Sequence, residues 1–251
     1  MLIVGSFYMN SVILFGTISV LPLVIGALLG SYFAIKEKFI GTISAFGAGA
    51  LIAAITFGMM EESFRLGGFD NAIIGFIAGG VLFVIGDYLI ISFGGRSHKR
   101  TYKTDRASNG WAIVLGQTLD GIPESIALGL GLLVNPKLGL LVLIGVFLSN
   151  LPESISSAYD LKESGKSIRE IVLIWSFVAA LGILFTVIGY SVFAGVSPHT
   201  MATFESLAAG AILTMLATTM MPEAYKDGGP ASSLATVMGF LIVFIISKLG
   251  V

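Results

Sequence analysis

The sequence predicts an all-α, polytopic membrane protein with eight transmembrane helices in a 3+2+3 arrangement containing inverted repeats, and three observations carry that prediction. Hydrophobic residues make up 55% of the chain and charged residues 12%, with a mean hydropathy of +0.95. Soluble domains carry roughly 25% charged residues. Eight apolar segments each approach or exceed the roughly 20 residues that cross a hydrocarbon core. Finally, residues 46 to 63 (FGAGALIAAITFGMMEES) align without a gap with residues 207 to 224 (LAAGAILTMLATTMMPEA), at a spacing of 161.

The segments follow in order. The first, about 11–35, has no basic residues before it and reads as a mature helix rather than a signal peptide. The second, about 39–60, ends the first repeat copy at Glu61 and Glu62, and the third, about 71–93, holds the intramembrane acid Asp87. A polar, basic stretch around 94–109 (GGRSHKRTYKTDRASN) separates these from a central pair, about 110–133 and 137–158. The sixth (168–193), seventh (200–223) and eighth (230–249) complete the second repeat. The whole of 1–251 therefore reads as one transmembrane domain: repeat 1 about 11–93, central helices about 110–158, and repeat 2 about 168–249.

Charge sets the expected orientation. With the N-terminus outside, the loops after segments 1, 3, 5 and 7 collect Lys36, Lys38, Arg96, Lys99, Arg100, Lys103, Arg106, Lys162, Lys166, Arg169 and Lys226 on the cytoplasmic side, leaving only Arg65, Lys137 and Lys248 outside. The positive-inside rule then places both termini outside the cell membrane. Segments 2 and 7 consequently run in opposite directions, so their repeat is inverted, as is typical of secondary transporters with a midplane substrate site. Gly47, Gly49, Gly210 and Ala211 read as a helix-packing face. Met59, Met60, Met220 and Met221 read as packing groups ahead of thioether ligands. Glu61, Glu62 and Glu223 are either solvated at helix ends or placed to receive ions.

The central pair carries the chemistry. Residues 120 to 125 read DGIPES and residues 149 to 154 read SNLPES, each with a carboxylate directly after a proline inside an apolar run. Asp or Glu at a helix centre costs roughly 2.5 to 3.5 kcal/mol on insertion scales. Asp120 and Glu124 are four apart, as are Ser149 and Glu153, so each pair shares one face of its helix. Pro123 and Pro152 release the carbonyls of Leu119 and Leu148 from the helical ladder, and such groups need protein, water or an ion as partner. Gln117 and Asn150 add amide oxygens. Converging carboxylates require a cation between them or protons upon them. The oxygen-rich set Asp120, Glu124, Asn150, Glu153 and Ser149 suits Mn2+, Mg2+ or Fe2+ and admits Zn2+, with proton competition as a companion expectation.

Eight segments, a polar loop between the third and fourth, and twin proline-glutamate motifs resemble the ZIP (Zrt-/Irt-like) family of divalent metal transporters. AAGAILTMLATTMMPEA in segment 7 resembles its prokaryotic, GufA-like branch. In that family segment 4 reads His-Asn-x-Pro-Glu-Gly. The resemblance places the family histidine on Asp120, the asparagine on Gly121 and the glutamate on Glu124, and the segment 5 ligands on Ser149, Asn150 and Glu153. The metal site is thus divergent, since the chain's two histidines, His98 and His199, are both expected in loops and not within the membrane. The resemblance implies a divalent metal as substrate rather than cofactor (Zn2+, Mn2+ or Fe2+), movement into the cytoplasm, and a homodimer in the bilayer.

Two other classes use the same residues: a proton-linked carrier of a non-metal solute, and a metal sensor derived from a transporter. Without cysteine there is no disulfide or thiolate site. With no serine-base dyad, H-E-x-x-H pair or nucleotide loop, neither an enzyme nor a nucleic-acid partner is expected. Asp87 either lines an exit path or pairs with a polar loop residue.

Overall fold

The structure is a computed structural model that describes residues 2–92 and 110–249, with side chains described over 9–89 and 116–249. Among the described residues all regular elements are helical: α1 (Leu2–Tyr32), α2 (Glu37–Ala54), α3 (Glu61–Ser92), α4 (Gly110–Val134), α5 (Pro136–Glu163), α6 (Ile168–Ser191), α7 (Pro198–Met215), α8 (Met221–Gly228) and α9 (Pro230–Leu249). Short π-helical turns, Ile55–Met60 and Leu216–Met220, join α2 to α3 and α7 to α8. The basic stretch 94–109, with His98, lies outside the described residues.

Six helical stretches among the described residues are long and apolar enough to cross a membrane: Met9–Tyr32, Glu37–Leu89, Pro136–Glu163, Ile168–Ser191, Pro198–Gly228 and Pro230–Leu249. This makes the chain an all-helical, multi-pass membrane protein. The polar run from Gln117 to Ser125 leaves α4 outside that set of six. The 53 residues of Glu37–Leu89 would extend about 80 Å as one straight helix, far beyond a core of about 30 Å. Gly68 interrupts them, with φ 72° and ψ −172°. That backbone conformation is open to glycine and strained for residues with a Cβ.

Local chemistry sets the helix starts. Asn135 caps α5 by accepting from the Lys137 amide at 2.9 Å, with Pro136 in the first turn. Ser167 and Glu170 form a reciprocal capping box at the start of α6. Ser197 caps α7 ahead of Pro198.

Packing joins these helices in matched pairs. α1 lies against α5 while α6 lies against α4; α2 lies against α9 while α3 lies against α7; and α5 and α4 meet α2 and α7 respectively. The largest apolar core draws Leu51, Met59, Leu128, Val142, Ile212 and Leu216 together, and a second surrounds Trp175 between α1, α5 and α6. Met59 and Met220 both sit in the first core, as packing groups.

Lipid is as apolar as leucine, so helix association there depends on close approach rather than on escape from water. A Cβ on Gly49 would overlap the Thr236 carbonyl, and one on Gly239 the Phe46 carbonyl. Across the matched crossing, a Cβ on Gly210 would overlap the Phe76 carbonyl, and one on Gly79 the Leu207 carbonyl. The sequence repeat therefore has a conformational counterpart. Its two π-helical turns begin 161 residues apart, at Ile55 and Leu216. The left-handed glycines Gly68 and Gly229 (φ 63°) are also 161 apart.

Gly49→Ile and Gly210→Ile are each expected to destabilise by about 1 to 3 kcal/mol or more. Gly121→Ala, whose added carbon meets nothing within 4 Å, is expected to leave stability unchanged or raise it. Thermal unfolding in detergent checks both; equal melting of all three variants would contradict the packing role.

Candidate functional site

The two proline-containing helices lie antiparallel and are linked by hydrogen bonds across their interface. Ser149 on α5 donates to Glu124 Oε1 on α4 at 3.3 Å, and Gln117 on α4 donates to Glu153 Oε2 on α5. The links cross in the order an antiparallel pair demands, the earlier residue of α4 meeting the later residue of α5. The i, i+4 spacing of each motif is what puts donor and acceptor on one face.

Burial is nearly complete here. Glu124 is 2% exposed, Asp120 6% and Ser149 0%, with Gln117 and Asn150 also buried. Glu153 is half-buried. Asp120 and Glu153 both act electrostatically on Glu124, so the three sequence-predicted acids share one electrostatic neighbourhood.

Asn150 also joins two helices. Its Nδ2 donates to the Ser19 carbonyl of α1 at 2.8 Å, so this amide ties α5 to α1. Ser154 makes a parallel link, donating to the Pro22 carbonyl at 3.1 Å as well as to its own helix. The Leu148 carbonyl, which Pro152 releases, lies against Gly47 of α2, 2.9 Å from where a Cβ would stand.

A cleft reaches this neighbourhood between α1, α4, α5 and α6. Val20, Gln117, Gly121, Glu124, Asn150 and Phe185 are among its lining residues, and it encloses about 20 Å3, room for a water-sized occupant. Gly121 contributes open space instead of a side chain. Among the described residues, no group of three or more His, Cys, Asp or Glu side chains is positioned to hold a metal ion. A cation at Glu124 therefore needs amide, hydroxyl or water oxygens beside the acids.

The remaining acids lie apart. Glu62 receives Arg65 Nε at 2.8 Å, and Glu61 pairs with Lys248 at 3.9 Å. Asp87 sits near the end of α3, half-buried and engaged in an interaction. Sequence reasoning missed Glu205. This α7 residue is 0% exposed, and neither carboxylate oxygen has a hydrogen-bond partner. The signal was present, because Glu205 is an acid within the apolar segment 200–223, well before Glu223 at its end.

The chain is 29% identical over 138 residues to a protein of Myxococcus xanthus described as zinc transporter GufA, the match covering 53% of each chain. It thus spans about half the length of that relative. No family model matches.

Asn150→Ala is expected to cost about 0.6 to 1.7 kcal/mol, the range for an interhelical hydrogen bond in a membrane protein, by removing the link to Ser19. Unchanged thermal stability of that variant would show that the α1–α5 link contributes nothing.

Proposed function

We propose that this chain carries a divalent metal cation of the zinc, manganese or iron class across the cell membrane, through a carboxylate site between α4 and α5. One observation carries the reading: Asp120, Glu124 and Glu153 share one electrostatic neighbourhood on two packed, proline-containing helices joined by hydrogen bonds to Glu124 and Glu153. Intramembrane acids are expensive enough that their concentration favours function over architecture. The similarity to a zinc transporter supports the same class, as does the resemblance of the paired Pro-Glu motifs to the ZIP family.

In this reading the break at Gly68 divides Glu37–Leu89 into two crossings, and α4 is a crossing despite its polar centre. Eight helices follow, in a 3+2+3 arrangement whose outer triplets are inverted repeats within a single transmembrane domain, 1–251. The matched crossings of α2 with α9 and of α7 with α3 support it. Both termini lie outside, transport runs toward the cytoplasm, and the chain forms a homodimer.

The metal is the substrate, and the chain's residues receive it. Glu124 and Glu153 supply charge, Asp120 adds to the field, and Ser149 supplies a hydroxyl oxygen. Gln117 holds Glu153 until a cation competes for it. Asn150 serves the site by anchoring α5 to α1, its ligand role being confined to the amide oxygen. Because Ser149 and Gln117 link α4 to α5, exchange of these hydrogen bonds for metal coordination couples occupancy to the relation between the helices. Alternating access by movement of the repeats around a fixed site is the corresponding mechanism.

A proton-linked carrier of another solute is the second reading, favoured by the absence, among the described residues, of three acid or histidine side chains positioned for an ion. Uptake into proteoliposomes separates the two. Zn2+, Mn2+ or Fe2+ flux is expected in the native chain and expected to fall to background in the Glu124→Gln, Glu153→Gln double variant. Folded native protein that moves none of these ions, or Cd2+, would reject the metal reading in favour of the second.

A further inference from the structure

Glu205 is an acid that neither the paired motifs nor the repeat accounts for. It lies on the buried stripe of α7 formed by Ala202, Ala209 and Ile212, where an apolar side chain would pack without cost. Both of its oxygens lack a hydrogen-bond partner. Neighbouring hydroxyls are directed elsewhere: Ser63 donates to the Ala202 carbonyl at 2.6 Å, and Ser206 to the Asn71 carbonyl at 3.2 Å. A carboxylate without donors does not persist as a bare anion in a low-dielectric interior. It is neutralised by a proton or by a bound cation.

Charged groups stand beside it at the start of α3. The Glu62 side chain is 14% exposed and is held by Arg65, which is 66% exposed. Both act electrostatically on Glu205. Inward from the surface, the order is guanidinium, partly buried carboxylate, fully buried carboxylate. At the repeat spacing of 161, Glu62 and Arg65 correspond to Glu223 and Lys226, whereas Glu205 corresponds to Ser44. The buried acid is therefore present in one copy of the repeat, at one end of the bundle, and is not a requirement of the shared packing.

We propose that Glu205 and Glu62 form a second divalent-cation site, separate from the α4–α5 centre, with Arg65 as the counter-ion that holds Glu62 while the cation is absent. Two carboxylates balance the charge of one divalent ion, and water fills the remaining coordination positions. An all-oxygen set takes hard or borderline ions such as Mn2+. Binding transfers Glu62 from the guanidinium to the ion, and the ion replaces the proton on Glu205, which is released to solvent. The geometry makes Arg65 a competitor rather than a ligand.

The test is equilibrium dialysis of Mn2+ against the purified, chelator-stripped full chain in detergent. Glu205→Gln is expected to bind one Mn2+ fewer per chain than the native protein. Glu62→Gln is expected to weaken the same ion by at least about tenfold. Arg65→Gln is expected to strengthen it, an effect opposite in sign to general loss of structure. Native stoichiometry and affinity in Glu205→Gln would overturn the proposal. If Glu205→Gln does not fold, the more exposed Glu62 and Arg65 variants decide, and unchanged Mn2+ binding in both overturns it. Loss of an ion in Glu124→Gln reports the central site alone, so either site can fail while the other stands. A native chain that binds no Mn2+ overturns this site.

Discussion

A carboxylate surrounded by apolar helices has no water to stabilise it, and this constraint organises the molecule. Glu124, 2% exposed, is reached by a hydroxyl from the facing helix and lies within the field of two further acids. Its neighbours cannot be exchanged for generic apolar residues without leaving charge unattended. The cross-helix links from Gln117 and Ser149, together with the Asn150 and Ser154 links to α1, make α1, α4 and α5 one polar-stitched unit. Such stitching is modest per bond in lipid, yet it fixes which faces meet.

Around that unit the chain uses a different means of association. α2, α3, α7 and α9 approach through glycines set against carbonyl groups, with bulky aliphatic side chains such as Ile77, Leu82, Leu241 and Ile245 left facing outward. Close backbone contact needs no polar group and tolerates no side chain, so the glycines are as constrained as the acids. The same crossing is made twice, once for each copy of the repeated sequence. The π-helical turns at Ile55–Met60 and Leu216–Met220 recur with it. Local sequence likeness thus reproduces a local backbone irregularity at both places.

Several of these features were legible in the residues. The i, i+4 spacing of Asp120 with Glu124 and of Ser149 with Glu153 announced shared faces, and the structure joins the two helices through Glu124, Ser149 and Glu153. Met59 and Met220 packed into the core as their apolar surroundings suggested. The link from the Asn150 amide nitrogen to α1 was not legible, because which backbone carbonyl an amide reaches depends on where α1 lies. Glu205 carried no repeat signal, because the matching position in the other copy is Ser44.

By itself the sequence determined the all-helical, membrane-spanning character of the chain, through its apolar run lengths, and the pairing of acids on helix faces, through a helical period that side-chain chemistry cannot alter. Only the tertiary structure decided which carbonyl each buried donor reaches, where a cleft opens onto Glu124, and that Glu205 lies beside the Glu62–Arg65 pair without a hydrogen-bond donor of its own. The reason is physical. Periodicity and length are properties of one helix, whereas the partners of a buried polar group are set by the relative placement of several.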